Sequence, residues 1–477
     1  MPDNTQSAIR TVARRHGLDL DDEAIAAFEQ SVTEQRAQYG SFPSSTPTDD
    51  PPADVSEGDD PYNAFRYRFE LGGEDGPLTD LAIAVKENIV VSGVPTTCGS
   101  PGFEYEPPYH ATVVDRLRTA GASLVGTTNM DEFAFFTTGE TCAHGRIENP
   151  AAEGCVPGGS SSGSGAAVAA DVVDAALGTD TGGSVRIPAS FCGVVGVKPT
   201  HQTVSRFGVV DLSQSLDHVG PLARDVETAA RVLTEIAGPD ANDPSTRGSP
   251  APEQYVDALD RGVDDLRIGV VTEAMESAET GVVESVESTL DGLSDTGATV
   301  ERTSLEGYES AGAVVGAIAG LEFASLVGAN GASYATGTGT TEPLRAALAA
   351  ANERGEFGEH VVGLLISNGV LAEGDGAEYI AARSVQRLFT QTVRDALETY
   401  DALVTPTTPM AAPAFGAVEG LAGLLRTVEN TAPFNCSGHP AISVPSDPVD
   451  DTPVGVQVVT GWNDEATGFR VARALER

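Results

Sequence analysis

Two glycine- and serine-rich segments contain the residues of this sequence that are best suited to chemistry. The first is GGSSSGSG at 158–165 and the second is TDTGGS at 179–184. Glycine-rich loops that lead into helices present clustered backbone N–H groups, and such groups bind a negatively charged oxygen. A serine hydroxyl attacks a carbonyl carbon once a neighbouring base takes its proton. The two segments therefore predict an activated serine beside a site for an anionic oxygen.

Three other interpretations fit these segments less well. A flexible linker has the composition of GGSSSGSG, but the apolar stretch AAVAADVVDAAL that follows must pack closely. A Walker phosphate loop requires GK[ST], which is absent. The GxSxG pattern at 159–163 is typical of a nucleophile elbow, yet no strand precedes it and no downstream histidine lies in a recognisable triad context.

Lysine is almost absent, because only two of the 28 basic residues, Lys86 and Lys198, are lysines. Arginine keeps its charge in proteins, whereas a buried lysine can lose its proton and act as a base. A lysine that persists where arginine has replaced nearly all others is a candidate for a role that arginine cannot fill. Lys86 is therefore a candidate general base.

The net charge of −42 is the strongest signal in the composition. It opposes binding to phosphate backbones and to anionic lipid surfaces, so neither nucleic acid nor membrane is an expected direct partner. The 70 acidic residues indicate a protein from cells that keep molar salt in the cytoplasm, where salt screens the repulsion. A GC-rich coding sequence also favours arginine over lysine, but it explains the acidic residues less readily.

Cysteine usage and the N-terminus indicate a soluble cytoplasmic protein. Five cysteines without a CxxC pair predict neither a disulfide framework nor a zinc site. The N-terminal residues lack an apolar signal core, and no run of residues is judged long enough to span a membrane.

The order of predicted elements indicates an α/β fold. Residues 1–40 form a helical extension with a helix over 8–37, residues 41–60 an acidic linker rich in Pro and Ser, and residues 61–477 a single large domain. Within that domain strands and helices alternate, which predicts a largely parallel sheet. Strands are expected at 81–91, 123–128, 265–273, 298–304, 402–406, 441–445 and 455–461, and helices at 111–122, 164–177, 225–238, 282–294, 379–399 and 464–476.

The motifs resemble those of the amidase signature family. Lys86 in AVKENI, the GGSS run at 158–161 and TDTGGSVRIPAS at 179–190 match its pattern, with 24 positions between Ser160 and Ser184. The similarity extends from about residue 60 to the C-terminus. It implies an amidase with one α/β domain, a central mixed sheet flanked by helices, no metal and no organic cofactor.

The resemblance also implies a role for each matching residue. Ser184 corresponds to the nucleophile that becomes the acyl-enzyme, and Ser160 to a bridging serine that follows a cis peptide bond. Lys86 corresponds to the base that takes the proton of Ser184 through Ser160. The backbone N–H groups of Thr181, Gly182, Gly183 and Ser184 are the expected oxyanion hole, and Ser161, Asp180 and Arg186 are expected to support the loops.

Two branches of the family compete for this sequence. NMDEFA at 129–134 is similar to the A subunit of glutamyl-tRNA amidotransferase, which releases ammonia from glutamine for a partner subunit. The A subunit grips the glutamine amino group with an aspartate where this chain has Val428, and it binds the carboxylate with an arginine that is absent between Arg354 and Arg383. GGSSSGSG, KPTH, LDHVGPL and NTAPFNCSGHP look more like free-standing amidases.

The sequence thus predicts a free-standing amidase that hydrolyses a small carboxamide to a carboxylate and ammonia. The alternative is the A subunit of an amidotransferase, and only then would other amidotransferase subunits be partners. A homodimer is compatible with either interpretation. A non-catalytic scaffold of the same fold is disfavoured, because Lys86, Ser160 and Ser184 are all intact.

Overall fold

Residues 5–42, 46–251, 253–332 and 341–476 are described by a computed structural model. The chain divides into two units, Met1–Pro47 and Thr48–Arg477. In the first unit two helices, α1 (Thr5–Arg15) and α2 (Asp22–Tyr39), replace the single helix expected over 8–37. The break follows from Gly17, which has a φ of 68°, and from Asp21, whose carboxylate caps α2 by accepting the N–H of Ala24.

The second unit is built from strands and helices that alternate along the chain. The strands are β1 (Ala53–Glu57), β2 (Phe65–Leu71), β3 (Ala82–Lys86), β4 (Ser123–Thr128), β5 (Ala175–Asp180), β6 (Val195–Lys198), β7 (His218–Ala223), β8 (Arg267–Val271), β9 (Thr299–Thr303), β10 (Ala402–Pro406), β11 (Ala441–Pro445) and β12 (Gly455–Val459). The helices are α3 (Thr112–Thr119), α4 (Ser162–Ala169), α5 (Arg186–Cys192), α6 (Val226–Ile236), α7 (Thr272–Ser277), α8 (Thr280–Asp295), α9 (Ala311–Gly328), α10 (Glu342–Arg354), α11 (Glu359–Ala372), α12 (Ala377–Leu397), α13 (Gly420–Thr427), α14 (Ala432–Cys436) and α15 (Glu465–Leu475).

All of these strands belong to one mixed sheet, in the order β1-β2-β4-β3-β5-β7-β6-β11-β12-β10-β8-β9. β3 runs parallel to both β4 and β5, and β8 runs parallel to β9 and β10, whereas the other neighbours are antiparallel. The expected α/β fold with a central mixed sheet is confirmed. The prediction of a largely parallel sheet, made from the alternation alone, is wrong, because most pairs of neighbouring strands run antiparallel.

The segment expected to be a linker contains a strand. β1 (Ala53–Glu57) pairs antiparallel with β2 at the edge of the sheet, although its side chains are mostly exposed. Backbone pairing needs no apolar side chains on an edge strand, so the Asp- and Pro-rich composition of 41–60 concealed it. The Asp60 carboxylate then accepts the N–H groups of Tyr62, Ala64 and Phe65 where the chain enters β2.

The small-residue helix expected over 164–177 ends at Ala169, and β5 begins at Ala175. Both elements are almost entirely buried, so neither shows the alternation of apolar and polar residues that distinguishes a helix from a strand. Gly163 explains why α4 needs small residues: a Cβ there would lie 2.2 Å from the carbonyl oxygen of Ala64. α4 can therefore approach the sheet more closely than a helix with larger side chains.

One described helical segment, Tyr308–Gly328, is long and apolar enough to cross a membrane, contrary to the expectation that no run is. It comprises α9 and the short turn before it. α9 packs against α11, α12 and α14, and more than half of its residues are buried within the fold. A helix in the core of a domain can be as long and apolar as one that crosses a membrane, and α9 lies in the core.

Candidate active site

Lys86 and Thr179 lie together because β3 and β5 are parallel neighbours and end at the same edge of the sheet. Lys86 is the last residue of β3 and is fully buried. Its Nζ lies 2.7 Å from Ser160 Oγ and 2.8 Å from Thr179 Oγ1. The structure therefore brings the candidate base into direct contact with the candidate bridging serine.

The surroundings of Lys86 favour its neutral form more than water does. Burial lowers the pKa of Lys86 to about 7, while the carboxylates of Asp131, Asp217 and Asp180 act in the opposite direction. A neutral amine has one lone pair and can accept a proton from Ser160. The site thus holds a lysine that can serve as a base near neutral pH.

Thr179 and Asn88 belong to this site and were missed from the sequence. The Asn88 amide donates to Thr179 Oγ1 at 3.2 Å and to the carbonyl oxygen of Val210 at 3.3 Å. Thr179 Oγ1 thus contacts both Lys86 and Asn88. Asn88 lies two residues after Lys86 and Thr179 begins the TDTGGS segment, but only the pairing of β3 with β5 shows that they meet.

Ser160 follows a cis peptide bond from Gly159, as the resemblance implies. Its carbonyl oxygen accepts the N–H of Asp131 at 3.3 Å. A Cβ on Gly159 would lie 2.0 Å from Asp131 Oδ2, so only glycine fits there. The Asp131 carboxylate also accepts the N–H groups of Thr138, Gly139 and Thr141, and it thereby holds the following loop beside Ser160.

Ser184 is tied to the same segment through its backbone. Its carbonyl oxygen accepts the N–H of Ser161 at 3.2 Å, and the Ser161 hydroxyl donates to the carbonyl oxygen of Thr179 at 3.2 Å. The Ser184 hydroxyl forms no hydrogen bond with any described residue, Ser160 included. The structure therefore brings Lys86 and Ser160 into contact and leaves the side chain of Ser184 without a partner in that part of the chain.

The loop from Thr181 to Ser184 is held by its carbonyl groups. Gly182 O accepts the Thr431 hydroxyl at 2.6 Å, and Gly183 O accepts the N–H of Ile187 at 2.7 Å. A trans peptide plane directs each N–H away from the preceding carbonyl, so these contacts orient the N–H groups of Gly183 and Ser184. Within the described ranges, none of the four N–H groups from Thr181 to Ser184 finds an acceptor.

A buried ion pair closes this loop. Arg186 forms two hydrogen bonds with the Asp180 carboxylate, at 2.8 and 3.0 Å, and both side chains are fully buried. Burial is the largest single influence and acts to raise the pKa of Asp180. The charge and hydrogen bonds of Arg186, together with Lys198 and Asn435, outweigh it and lower the pKa to about 2. Asp180 Oδ2 also accepts the N–H of Val185 at 3.1 Å. Through these hydrogen bonds Asp180 and Arg186 contact the loop, and Ser161 contacts both segments.

Arg186 also connects this loop to segments that are distant in the sequence. It donates to the carbonyl oxygen of Thr431, to Gln457 Oε1 and to Asn435 Oδ1 at 2.6 to 2.9 Å. Thr431, Asn435 and Gln457 were not identified as site residues from the sequence, because no local motif marks them as partners of Arg186.

The wall beside the loop is apolar. A Cβ on Gly182 would lie 3.6 Å from Val315 and 3.9 Å from Val428, so both valines face this loop. Of the aromatic residues at 133–136, Phe133 packs in the core against Phe103, Phe323 and Phe357. It is therefore a core residue.

The family model described as Amidase matches residues 63–467, and the chain belongs to this family. The chain is 46% identical over 410 residues to the A subunit of glutamyl-tRNA(Gln) amidotransferase from Natronomonas pharaonis, a match that covers 84% of this chain and 96% of that protein. The corresponding protein of Haloarcula marismortui is 45% identical, with 85% and 96% covered.

Solved structures agree on the family. The A subunit of the glutamyl-tRNA(Gln) amidotransferase from Thermotoga maritima superimposes with a TM-score of 0.74 at 34% identity, and the match covers 89% of this chain and 86% of that one. The peptide amidase of Stenotrophomonas maltophilia superimposes with a TM-score of 0.70 at 33% identity, with 84% and 82% covered. The expectation of an enzyme that acts on amide bonds is confirmed.

The preference for a free-standing amidase is wrong. Relatives that are 40–46% identical over most of the chain carry the name of the amidotransferase A subunit, which was the alternative interpretation. The preference rested on Val428, on a missing arginine and on short motifs. A few side chains near the substrate can change while the rest of a chain keeps its relationship, so these positions were a poor guide.

We expect alanine to be tolerated at Gly182 but not at Gly183. Gly183 has a φ of 140°, and a Cβ there would lie 2.2 Å from Thr431 Oγ1, whereas at Gly182 all contacts are ordinary. Gly183→Ala should lower the free energy of unfolding by about 1–3 kcal/mol, and Gly182→Ala should change it by less than about 1 kcal/mol. Denaturant unfolding of both variants measures the difference; equal losses would contradict the close approach of Thr431.

Proposed function

We propose that this chain is the ammonia-producing A subunit of a glutamyl-tRNA amidotransferase. It would hydrolyse the side-chain amide of glutamine and deliver the ammonia to a partner subunit. The observation that carries this proposal is the similarity to relatives of that name, which are 43–46% identical and 96–99% covered. The contact between Lys86 and Ser160 supports the chemistry.

In the proposed reaction Ser184 Oγ attacks the amide carbon while its proton passes to Ser160, and the proton of Ser160 passes to Lys86. The tetrahedral intermediate places its negative oxygen on the free N–H groups of the loop from Thr181 to Ser184. Lys86 returns the proton to the leaving nitrogen, which departs as ammonia and leaves an acyl-enzyme on Ser184. Water then attacks this ester by the same proton path and releases the carboxylate.

The neighbouring residues supply what these steps require. Lys86 Nζ donates to Thr179 Oγ1 at 2.8 Å. The lone pair of the neutral amine can therefore stay directed at Ser160. The Asp180–Arg186 pair and Thr431 fix the loop before the substrate arrives, which spares the cost of reorganisation during the reaction. Lys86 is fully buried, so its amine contacts Ser160 and Thr179 rather than water.

The proposed partners follow from the same relationship. A small-molecule amide is the substrate, and other amidotransferase subunits receive the ammonia. The net charge of −42 opposes direct contact with tRNA, so the nucleic acid would bind through those partners. A cytoplasmic location and dependence on high salt are part of the proposal, supported by the acidic composition.

The proposal is tested by measuring ammonia release from glutamine in concentrated KCl, with and without the partner subunits encoded by the same organism. We expect release from glutamine that increases when the partners are present and falls by at least about 10³-fold in Ser184→Ala. Propionamide and benzamide serve as comparison substrates. Turnover of these amides but not of glutamine, under every condition, would overturn the proposal.

We expect the rate to rise with pH because the base must be neutral. Burial lowers the pKa of Lys86 to about 7, so kcat/KM should increase as pH rises toward 7 and level off above it. Lys86→Arg, which keeps its charge, should lose at least about 10²-fold in rate. The measurement is a pH–rate profile from about pH 5.5 to 9; the same inflection in Lys86→Arg would assign it to another group.

Val428 offers a test of substrate recognition. It faces the loop at Gly182, and its position matches the one where the amidotransferase is expected to hold the glutamine amino group with an aspartate. A carboxylate introduced there should attract that ammonium group, so Val428→Asp should lower KM for glutamine by about tenfold. Val428→Asn has the same shape without the charge and is the control. Equal KM values for the two variants would show that the glutamine amino group binds elsewhere.

A further inference from the structure

The side chain of Thr181 is held by a carboxylate that takes no part in the reaction steps above. Thr181 Oγ1 donates to Asp217 Oδ1 at 2.6 Å. The other oxygen of Asp217 accepts the N–H groups of Leu212 and Ser213 at 2.9 and 3.0 Å. Thr181 and Asp217 are both buried. An ionised carboxylate only accepts hydrogen bonds, so Thr181 is the donor in their shared hydrogen bond.

The peptide plane between Thr181 and Gly182 differs from the other planes of the loop, because it is not held through its carbonyl oxygen. The carbonyl oxygens of Asp180, Gly182, Gly183 and Ser184 all accept hydrogen bonds. Among the described residues nothing donates to the carbonyl oxygen of Thr181. The plane between Thr181 and Gly182 carries the Gly182 N–H, and the hydrogen bond of the Thr181 side chain to Asp217 is its nearest restraint.

The other end of the contact is itself anchored. The Ser213 hydroxyl donates to Glu322 of α9 at 2.6 Å, and the hydroxyl of Ser215 donates to the same carboxylate at 2.6 Å. Tyr379 of α12 donates to Glu322 at 2.7 Å. A continuous chain of hydrogen bonds thus runs from the helices through Asp217 to the loop beside Ser184, so Asp217 has a rigid support.

We propose that Asp217 is a positioning residue that acts through Thr181 to aim the Gly182 N–H at the oxygen of the tetrahedral intermediate. This inference rests on the amide hydrolysis proposed above. Asp217 does not contact the reacting atoms. Its role is to fix the direction of a donor before substrate binds, and misaligned donors stabilise a transition state far less than aligned ones.

Variants on both sides of the contact separate this role from simple support of the fold. Thr181→Val keeps the shape but removes the hydroxyl, whereas Thr181→Ser keeps the hydroxyl. In Asp217→Asn the amide oxygen can face either Thr181 or the two backbone N–H groups, but not both. Asp243→Asn is the control, because Asp243 is also buried and accepts the backbone N–H groups of Arg206 and Ser245.

The measurement is the rate at which an uncharged alkyl fluorophosphonate labels Ser184, since this reaction needs the loop N–H groups but not glutamine recognition. It is made at about pH 9, where Lys86 is neutral with or without the charge of Asp217. We expect Asp217→Asn and Thr181→Val to lower the maximal labelling rate at least about tenfold, with little change in the concentration for half-maximal labelling. Thr181→Ser, which keeps the hydroxyl donor, should recover most of the rate lost in Thr181→Val, and Asp243→Asn should stay within about threefold of the wild type. The double variant should be no slower than the slower single variant.

Three results would overturn the inference: wild-type labelling in Thr181→Val, equal losses in Thr181→Ser and Thr181→Val, or single losses that multiply in the double variant. If Asp217→Asn fails to fold, the comparison of the two Thr181 variants still decides. Glutamine hydrolysis is measured on the same samples. A wild type that is silent on glutamine both with and without the partner subunits, but shows the expected labelling pattern, refutes the proposed substrate and leaves the role of Asp217 standing.

Discussion

The burial of one amine beside one hydroxyl is the constraint on which the rest of this site depends. Lys86 is fully buried, with its Nζ 2.7 Å from Ser160 Oγ, and burial lowers its pKa to about 7. The same burial would lower the pKa still further without the carboxylates of Asp131, Asp180 and Asp217. Each of these three carboxylates also accepts a hydrogen bond from a loop of the site. The residues that raise the pKa of Lys86 therefore also fix the loops around it.

Much of this could be predicted from the sequence, because the chemistry lies in contiguous motifs. Lys86 was identified from the scarcity of lysine, and both lysines of the chain are fully buried. The surface of the described residues therefore carries no lysine. Lys198 donates to the carbonyl oxygens of His439 and Pro199, which is a structural role. The alternating elements indicated the α/β class, but β5 was missed because a strand buried on both faces lacks alternation.

The residues that could not be predicted are those that act across long separations in the sequence. Asp217 reaches Thr181 because β7, which begins at His218, pairs with the end of β5. Thr431 reaches the carbonyl of Gly182 from the start of α14. No local pattern distinguishes these side chains from other buried polar residues. The hydrogen-bonding demands of a glycine-rich loop imply that such partners exist, but only the topology identifies them.

The error about the branch of the family has a physical cause. Lys86, Ser160 and the loop from Thr181 to Ser184 must meet any primary amide in the same way, so they carry little information about the acyl group. Side chains such as Val428 and Val315 face the loop and can change without disturbing the network behind it. The reaction class is therefore readable from the motifs, whereas the substrate must be inferred from relationship over the whole chain and tested directly.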